Sequence, residues 1–315
     1  MTRREAIAAY SALAAIYFFW GTTYLAIRVG LETLPPMLFA GTRFLTAGTL
    51  LFTFLFFVRR LSLPKGREWL DQAITGLMLL GVGNGMVVVA EQWVPSGPAA
   101  LLVATSPFWV VGLERILVNG ERATKRALIG LVLGFVGLVL LVAPHLYGTK
   151  MSGYFILGAA GIQLGCASWS GGSVYSKHHP GSVSPFMAAS VQMLIAGLAL
   201  TLVGTVIGEW RTIYFSTRSF SAFVYLIVFG SIVAFGSYTY AIHKLPLSIV
   251  SLYSYINPVI AVLLGWLVLS ETLGWRVLAA MTVILAAVAL VKTGPAKVAH
   301  EKSTEVIAAE PCGQV

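Results

Sequence analysis

Between residues 7 and 292 the chain is a succession of ten apolar runs, each close to the length that crosses a bilayer core. This division leaves it little freedom of fold. The runs are 7–29, 36–58, 73–93, 98–118, 127–143, 153–176, 185–208, 222–243, 248–270 and 275–292. About 20 helical residues span the hydrocarbon. Within it every backbone N–H and C=O must be satisfied internally, which restricts spanning structure to helices and closed barrels. Charged residues make up only 10% of the chain against 57% hydrophobic ones, more apolar surface than a soluble core can hide. The connections are too short to hold a soluble domain. The expected class is an all-α polytopic membrane protein with ten transmembrane helices.

The opening MTRREAIAAYSALAAIYFFW has the basic start and apolar middle of a secretory signal. It stays apolar to Val29 and nine runs follow, so it reads as an uncleaved first helix. The net charge of +9 reports topology rather than a nucleic-acid footprint, because Lys and Arg collect in cytoplasmic loops. Placing the N-terminus inside puts Arg3 and Arg4, then Arg59, Arg60, Lys65 and Arg67, then Arg122, Lys125 and Arg126 on the inner face. In the second half Arg211, Arg218 and Arg276 would face outward, so the orientation rests on the first half. Both termini are expected in the cytoplasm. The tail at 294–315 is polar and without period, and is expected to be disordered. Cys166 falls in a helix and Cys312 in the tail, so no disulfide is expected.

The chain also repeats itself. Trp20, Pro36 and Gly48 recur at one constant offset as Trp169, Pro185 and Gly197. After small slips, Gly85, Ala90, Pro95 and Pro107 recur as Gly236, Ala241, Pro246 and Pro258, and Glu121 and Arg126 as Glu271 and Arg276. The units are residues 1–148 and 149–293. Each holds five runs, an odd number, so the second must enter the membrane upside down. Inverted repeats of this kind enclose a midplane site in transporters.

Pro107 in "VATSPFWVVG" and Pro258 in "SYINPVIAVLLG" are twins under this repeat. A proline removes one backbone donor and obstructs the carbonyl four residues earlier. Lipid cannot satisfy that carbonyl, so a break belongs against protein or a wet cavity. Matching helix breaks are therefore expected at Pro107 and Pro258, lining a binding site. The blander alternative is a packing bend.

"WGTTYLAIRVGLETLPPMLFAGTRFLTAG", "GNGMVVVAEQWVPSG", "SWSGGSVYSK" and "SYINPVIAVLLGWLVLSETL" together resemble the drug/metabolite transporter superfamily, specifically EamA-type permeases and their YedA-like inner-membrane members. The resemblance covers residues 7 to about 292. It implies two inverted five-helix EamA repeats around a central cavity lined by spans 1, 3, 4, 6, 8 and 9. It also implies transport of small metabolites, often amino acids and often outward, and location in the inner membrane.

Candidate substrate-binding residues follow on those spans: Trp20, Thr23 and Tyr24; Asn84; Ser106; Trp169 and Ser173; Tyr240, with Ser237 beside it; Tyr253 and Asn257. Hydroxyls and amides coordinate polar ends while rings cover an apolar body. Against this, aromatic stripes are commonly core or interfacial belt, and helix hydroxyls commonly bind neighbouring helices. Arg43 lies about seven residues into span 2, roughly 10 Å deep by helical rise. An intramembrane charge is costly and usually paired. Glu91 on span 3 lies at a similar depth, so an Arg43–Glu91 ion pair is expected, as a clamp rather than a substrate site. Glu114, Arg115, Lys177, His178, His179, His243 and Lys244 fall at helix ends, where solvation explains them.

No carboxylate occurs between Glu5 and Glu32. A small-multidrug mechanism, exchanging protons at a first-helix carboxylate, is therefore not expected. Few buried charges point to a neutral or zwitterionic solute. The chain reads as a secondary transporter, with an exporter of amino-acid-like metabolites as the sharpest form; proton coupling and facilitated diffusion both stay open. A channel and a membrane scaffold or sensor are the alternatives. A membrane enzyme lacks support, since HExxH, GxSxG, paired aspartates and a phosphate loop are all missing from the sequence. No cofactor or metal is expected, and the sequence leaves monomer or dimer open.

Overall fold

The computed structural model describes residues 2–94, 96–118, 124–146, 153–269 and 274–292. The expected boundary at 148, the markers Pro95, Glu121 and Glu271, and the tail with Cys312 lie outside them. All regular structure among the described residues is helical. Among the described residues, five stretches are long and apolar enough to cross a membrane: Arg3–Gly30, Pro36–Val58, Glu68–Ala90, Pro185–Val206 and Thr217–Lys244. The other apolar runs also fall on helix.

The first half comprises α1 (Arg3–Gly30), α2 (Pro36–Thr53), α3 (Glu68–Gly76), α4 (Gly85–Ala90), α5 (Ser96–Val103), α6 (Ser106–Val118) and α7 (Lys125–Leu146). The second comprises α8 (Gly153–His178), α9 (Pro185–Val206), α10 (Thr217–Tyr225), α11 (Ala234–Lys244), α12 (Leu247–Val250), α13 (Tyr253–Leu269) and α14 (Trp275–Lys292). Wider, π-helical turns join α3 to α4 over Leu77–Asn84 and α10 to α11 over Leu226–Val233. They occupy corresponding places in the two halves. A third such turn, Phe54–Val58, extends α2.

Local chemistry sets the helix starts. Thr2 and Glu5 form a reciprocal capping box on α1. Pro36 and Pro185 open α2 and α9, where a missing N–H costs nothing. Ser184 caps α9 by accepting from the Met187 N–H at 3.2 Å. The residue before α2 is Pro35, which has no side chain able to cap. A carboxylate from the far end of α9 does the work instead. Glu209 accepts from the Met37 and Leu38 N–H groups at 3.2 and 2.7 Å, a negative charge on a helix N-terminus. Glu209→Ala is expected to cost about 1 kcal/mol, the usual value of a lost cap. Thermal unfolding in detergent would register this, and an unchanged midpoint would refute the remote cap.

Helices that correspond under the repeat pack on each other. Gly41 lies against Thr201, Gly48 against Ser190 and Leu194, Gly197 against Gly41 and Leu45, and Gly204 against Leu38. Numbers rise along α2 as they fall along α9, so the two run antiparallel. The contacts exchange under the repeat, since Gly48 sits on α9 as its twin Gly197 sits on α2. The pair α7 and α14 behaves alike, with Gly130, Gly134 and Gly137 facing Val291, Ala287 and Ile284. Small residues at these crossings let backbones approach, which is how apolar helices associate in lipid. Likewise α1 packs on α11 and α13, as α8 packs on Leu77–Asn84 and α6. Two main buried clusters result, a large one between α1, α2, α9 and α11 and a smaller one around α7, α13 and α14.

Candidate functional site

Two helices are interrupted near the centre. Between α5 and α6 the chain turns at Ala104 and Thr105, and Pro107 falls in the first turn of α6, where the fold tolerates it. Helix α8 takes up the freed groups. Gln163 donates to the Leu102 carbonyl at 3.0 Å and accepts from Trp109 Nε1 at 3.1 Å, and Ser170 donates to the Ser106 carbonyl at 3.3 Å. Ser106 itself donates to the Val103 carbonyl at 2.6 Å.

The second interruption corrects the expectation for Pro258. That proline lies inside α13, and the break falls earlier, at Ser251 and Leu252. Partners decide the place. Tyr17 on α1 donates its hydroxyl to the Ile249 carbonyl at 3.0 Å, while Ser251 and Ser254 donate to the carbonyls of Ser248 and Ser251. The Asn257 amide, with its nitrogen toward them, donates to the carbonyls of Tyr253 at 2.9 Å and Tyr17 at 3.0 Å. Thus α1 serves one interrupted helix as α8 serves the other.

These helices enclose a cavity of about 90 Å³. Trp20, Thr23, Asn84, Ser106, Trp169, Tyr253 and Asn257, singled out from sequence, all line it. Trp20, Trp169 and Tyr253 give it an aromatic wall with Tyr238 packed behind: Trp20 lies 5.4 Å from Trp169, 5.2 Å from Tyr238 and 4.8 Å from Tyr253, centroid to centroid. Trp20 Nε1 donates to the Gly230 carbonyl at 3.2 Å, within the π-helical turn. Trp169 Nε1 donates to the Tyr238 hydroxyl at 2.9 Å. The volume is small beside ligand pockets of roughly 300–1,000 Å³, so the rings fill one another's space in this state.

Other candidates fall elsewhere. Ser173 stands behind the wall, between the Trp169 carbonyl at 2.7 Å and the Tyr238 hydroxyl at 2.6 Å. Tyr240 is not part of the lining and its ring stacks on Phe186. Its neighbour Tyr238 belongs to the cluster instead. The π-helical turn upstream carries an extra residue per turn, which rotates the face that regular helical spacing would present. The side chain of Tyr24 lies outside the described residues. Thr23 lines the cavity, but its hydroxyl donates to the Trp20 carbonyl at 2.8 Å.

Arg43 differs most from expectation. It lines the cavity while 4% exposed. Its Nη2 donates to Asn84 Oδ1 at 3.0 Å, and the guanidinium lies 4.2 Å from the Phe44 ring centroid. No ion pair links Arg43 with Glu91 among the described residues. Glu91 is buried, and neither carboxylate oxygen has a hydrogen-bond partner. Arg28 reaches its backbone carbonyl at 3.5 Å. Asn84 stands two helical turns before Glu91, and it meets the guanidinium first. The twin of Arg43, Gln192, donates to Gln72 at 2.6 Å, lower on the same third span.

Comparisons with known proteins agree with this architecture. The model of the EamA-like transporter family matches twice, over residues 7–143 and 156–293. The chain is 41% identical to the inner membrane transporter YedA of Escherichia coli strain K12, over 93% of this chain and 94% of that protein. It is 29% identical to a chloroplastic WAT1-related protein of Arabidopsis thaliana, covering 90% of this chain and 69% of the relative. A solved crystal structure superposes with a TM-score of 0.75 at 19% identity, over 92% of this chain and 96% of the other.

Proposed function

This chain belongs to the EamA-like transporter family and is therefore a membrane transporter rather than an enzyme, and from that premise we propose that it exports a small neutral or zwitterionic metabolite, such as an amino acid. The proposed topology is ten spans with both termini cytoplasmic in the inner membrane, built as inverted five-helix repeats at 1–148 and 149–293. The two halves rock about the shared cavity and expose it to each side in turn. Protons are the proposed coupling ion.

One observation carries the reading: a single cavity is lined from both halves, by Trp20, Asn84 and Ser106 on one side and Trp169, Tyr253 and Asn257 on the other. A site held between two movable units opens to either face when they rock, the geometry of alternating access. The antiparallel pairing of α2 with α9 and of α7 with α14 supports the inversion. The interrupted helices beside the cavity support it as well, since freed backbone is tolerated in a membrane only against protein or water.

Flux of radiolabelled amino acids into proteoliposomes tests this. Transport should saturate with substrate and respond to an imposed pH gradient. Flux rising linearly without saturation would favour a channel, and no solute movement at all would favour the scaffold or sensor.

A further inference from the structure

We propose that Arg43, with Asn84, anchors a carboxylate on the transported solute, so that the site selects monocarboxylates with an apolar body, amino acids among them. The inference rests on the transporter reading above and names what the cavity binds. A guanidinium carries five N–H donors in a fork that matches a carboxylate. The one hydrogen bond of the Arg43 side chain among the described residues goes to a neutral amide. Its buried Nε has no partner, and the group borders the cavity. A structural clamp would spend those donors on protein acceptors.

The charges around it leave room for an anion. Arg28 donates to the Glu91 backbone carbonyl at 3.5 Å, and among the described residues the Glu91 carboxylate makes no hydrogen bond or ion pair with either guanidinium. Arg28 lies at the exposed helix end, where water screens it, whereas Arg43 is enclosed. A buried membrane cation whose hydrogen bond goes only to a neutral amide is costly, and an entering carboxylate relieves that cost. One guanidinium matches a single negative charge, which disfavours phosphorylated dianions. The rings of Trp20, Trp169 and Tyr253 lie in the same lining and cover the apolar remainder of the solute.

The test uses the full-length protein in nanodiscs with four probes: 3-phenylpropionate, L-phenylalanine, phenethylamine and phenyl phosphate. Binding is read by quenching of tryptophan fluorescence and by thermal shift, and movement by flux of the labelled probes in proteoliposomes. At least one carboxylate should bind at least tenfold more tightly than phenethylamine or phenyl phosphate. L-phenylalanine alone would mark a zwitterion site, and both acids together would mark a carboxylate as sufficient. Arg43→Gln should weaken the acids at least tenfold and leave the amine unchanged. Asn84→Asp places an internal carboxylate on the guanidinium. It should also abolish acid binding at an unreduced melting temperature, which keeps the test decisive if Arg43→Gln does not fold. Acid binding retained in either variant, phenethylamine or phenyl phosphate binding as tightly as the acids, or no acid binding at all would overturn the anchor. Flux of phenethylamine without acid binding would discard the anchor and keep the transporter. Acid binding without flux of any probe would do the reverse.

Discussion

Leucine at position 197 is expected to leave the protein unable to assemble. A Cβ there would meet the Leu45 amide nitrogen at 2.6 Å and the Gly41 carbonyl oxygen at 3.0 Å. Both are backbone atoms of a helix, so no side-chain rotation relieves the clash and α2 and α9 must part. Overpacking by even a methyl group typically costs 1–3 kcal/mol, and a larger residue costs more. In lipid the penalty has little compensation, because helix association depends on close van der Waals contact rather than on a hydrophobic drive. Gly197→Ala should lower stability by about 2 kcal/mol, and Gly197→Leu should yield little monodisperse protein on size-exclusion after extraction. The twin substitution Gly48→Leu should fail likewise, since its Cβ would meet Leu194 and Ser190 at 3.0 Å. A monodisperse Gly197→Leu protein with wild-type melting behaviour would refute the close crossing.

Trp20→Ala is expected to remove both stability and transport. The indole touches Trp169, Tyr238 and Tyr253, and its N–H holds the Gly230 carbonyl. Trp20 is partly buried against the core cluster, so its truncation should cost about 3 kcal/mol, the lower end of the range for large aromatics. Loss of the ring also opens the cavity wall and leaves the carbonyl of a π-helical turn without that donor. Trp20→Phe separates the two effects. It restores most of the ring contact and should recover the greater part of the stability, while the lost N–H costs about 1 kcal/mol. Transport by Trp20→Phe should fall without vanishing, and flux through Trp20→Ala should be at background. Wild-type flux through Trp20→Ala would show that the cluster is packing and no part of the solute path.

The fold was legible because its signals are coarse. Runs of about 20 apolar residues require helix in lipid whatever their detailed order, and the twins Trp20 and Trp169 or Gly48 and Gly197 mark one unit used twice. The residues around the cavity were legible in part. Seven of the ten candidates line the cavity: Trp20, Thr23, Asn84, Ser106, Trp169, Tyr253 and Asn257. The chain turns at Ala104 and Thr105 just before Pro107, whereas Pro258 lies within α13 and the turn falls at Ser251, where partners able to satisfy freed carbonyls stand. Neither Tyr240 nor Tyr238 lines the cavity; Tyr238 packs on Trp20 behind the wall, and a π-helical turn upstream has no composition that would reveal this facing. The role of Gln163 was also invisible, since nothing local to it names a break sixty residues away.

What the sequence alone determined is a helical membrane protein made of two like units, because hydropathy, run length and recurrence need no knowledge of packing. Which way each helix faces was decided only in three dimensions. In a soluble helix a polar stripe reveals the outer face, but lipid is as apolar as a protein interior, so both faces look alike in sequence. Arg43 could thus be placed at a depth from its number, while its turn toward the cavity and Asn84 came from the packing of α2 on α9 and on the third span.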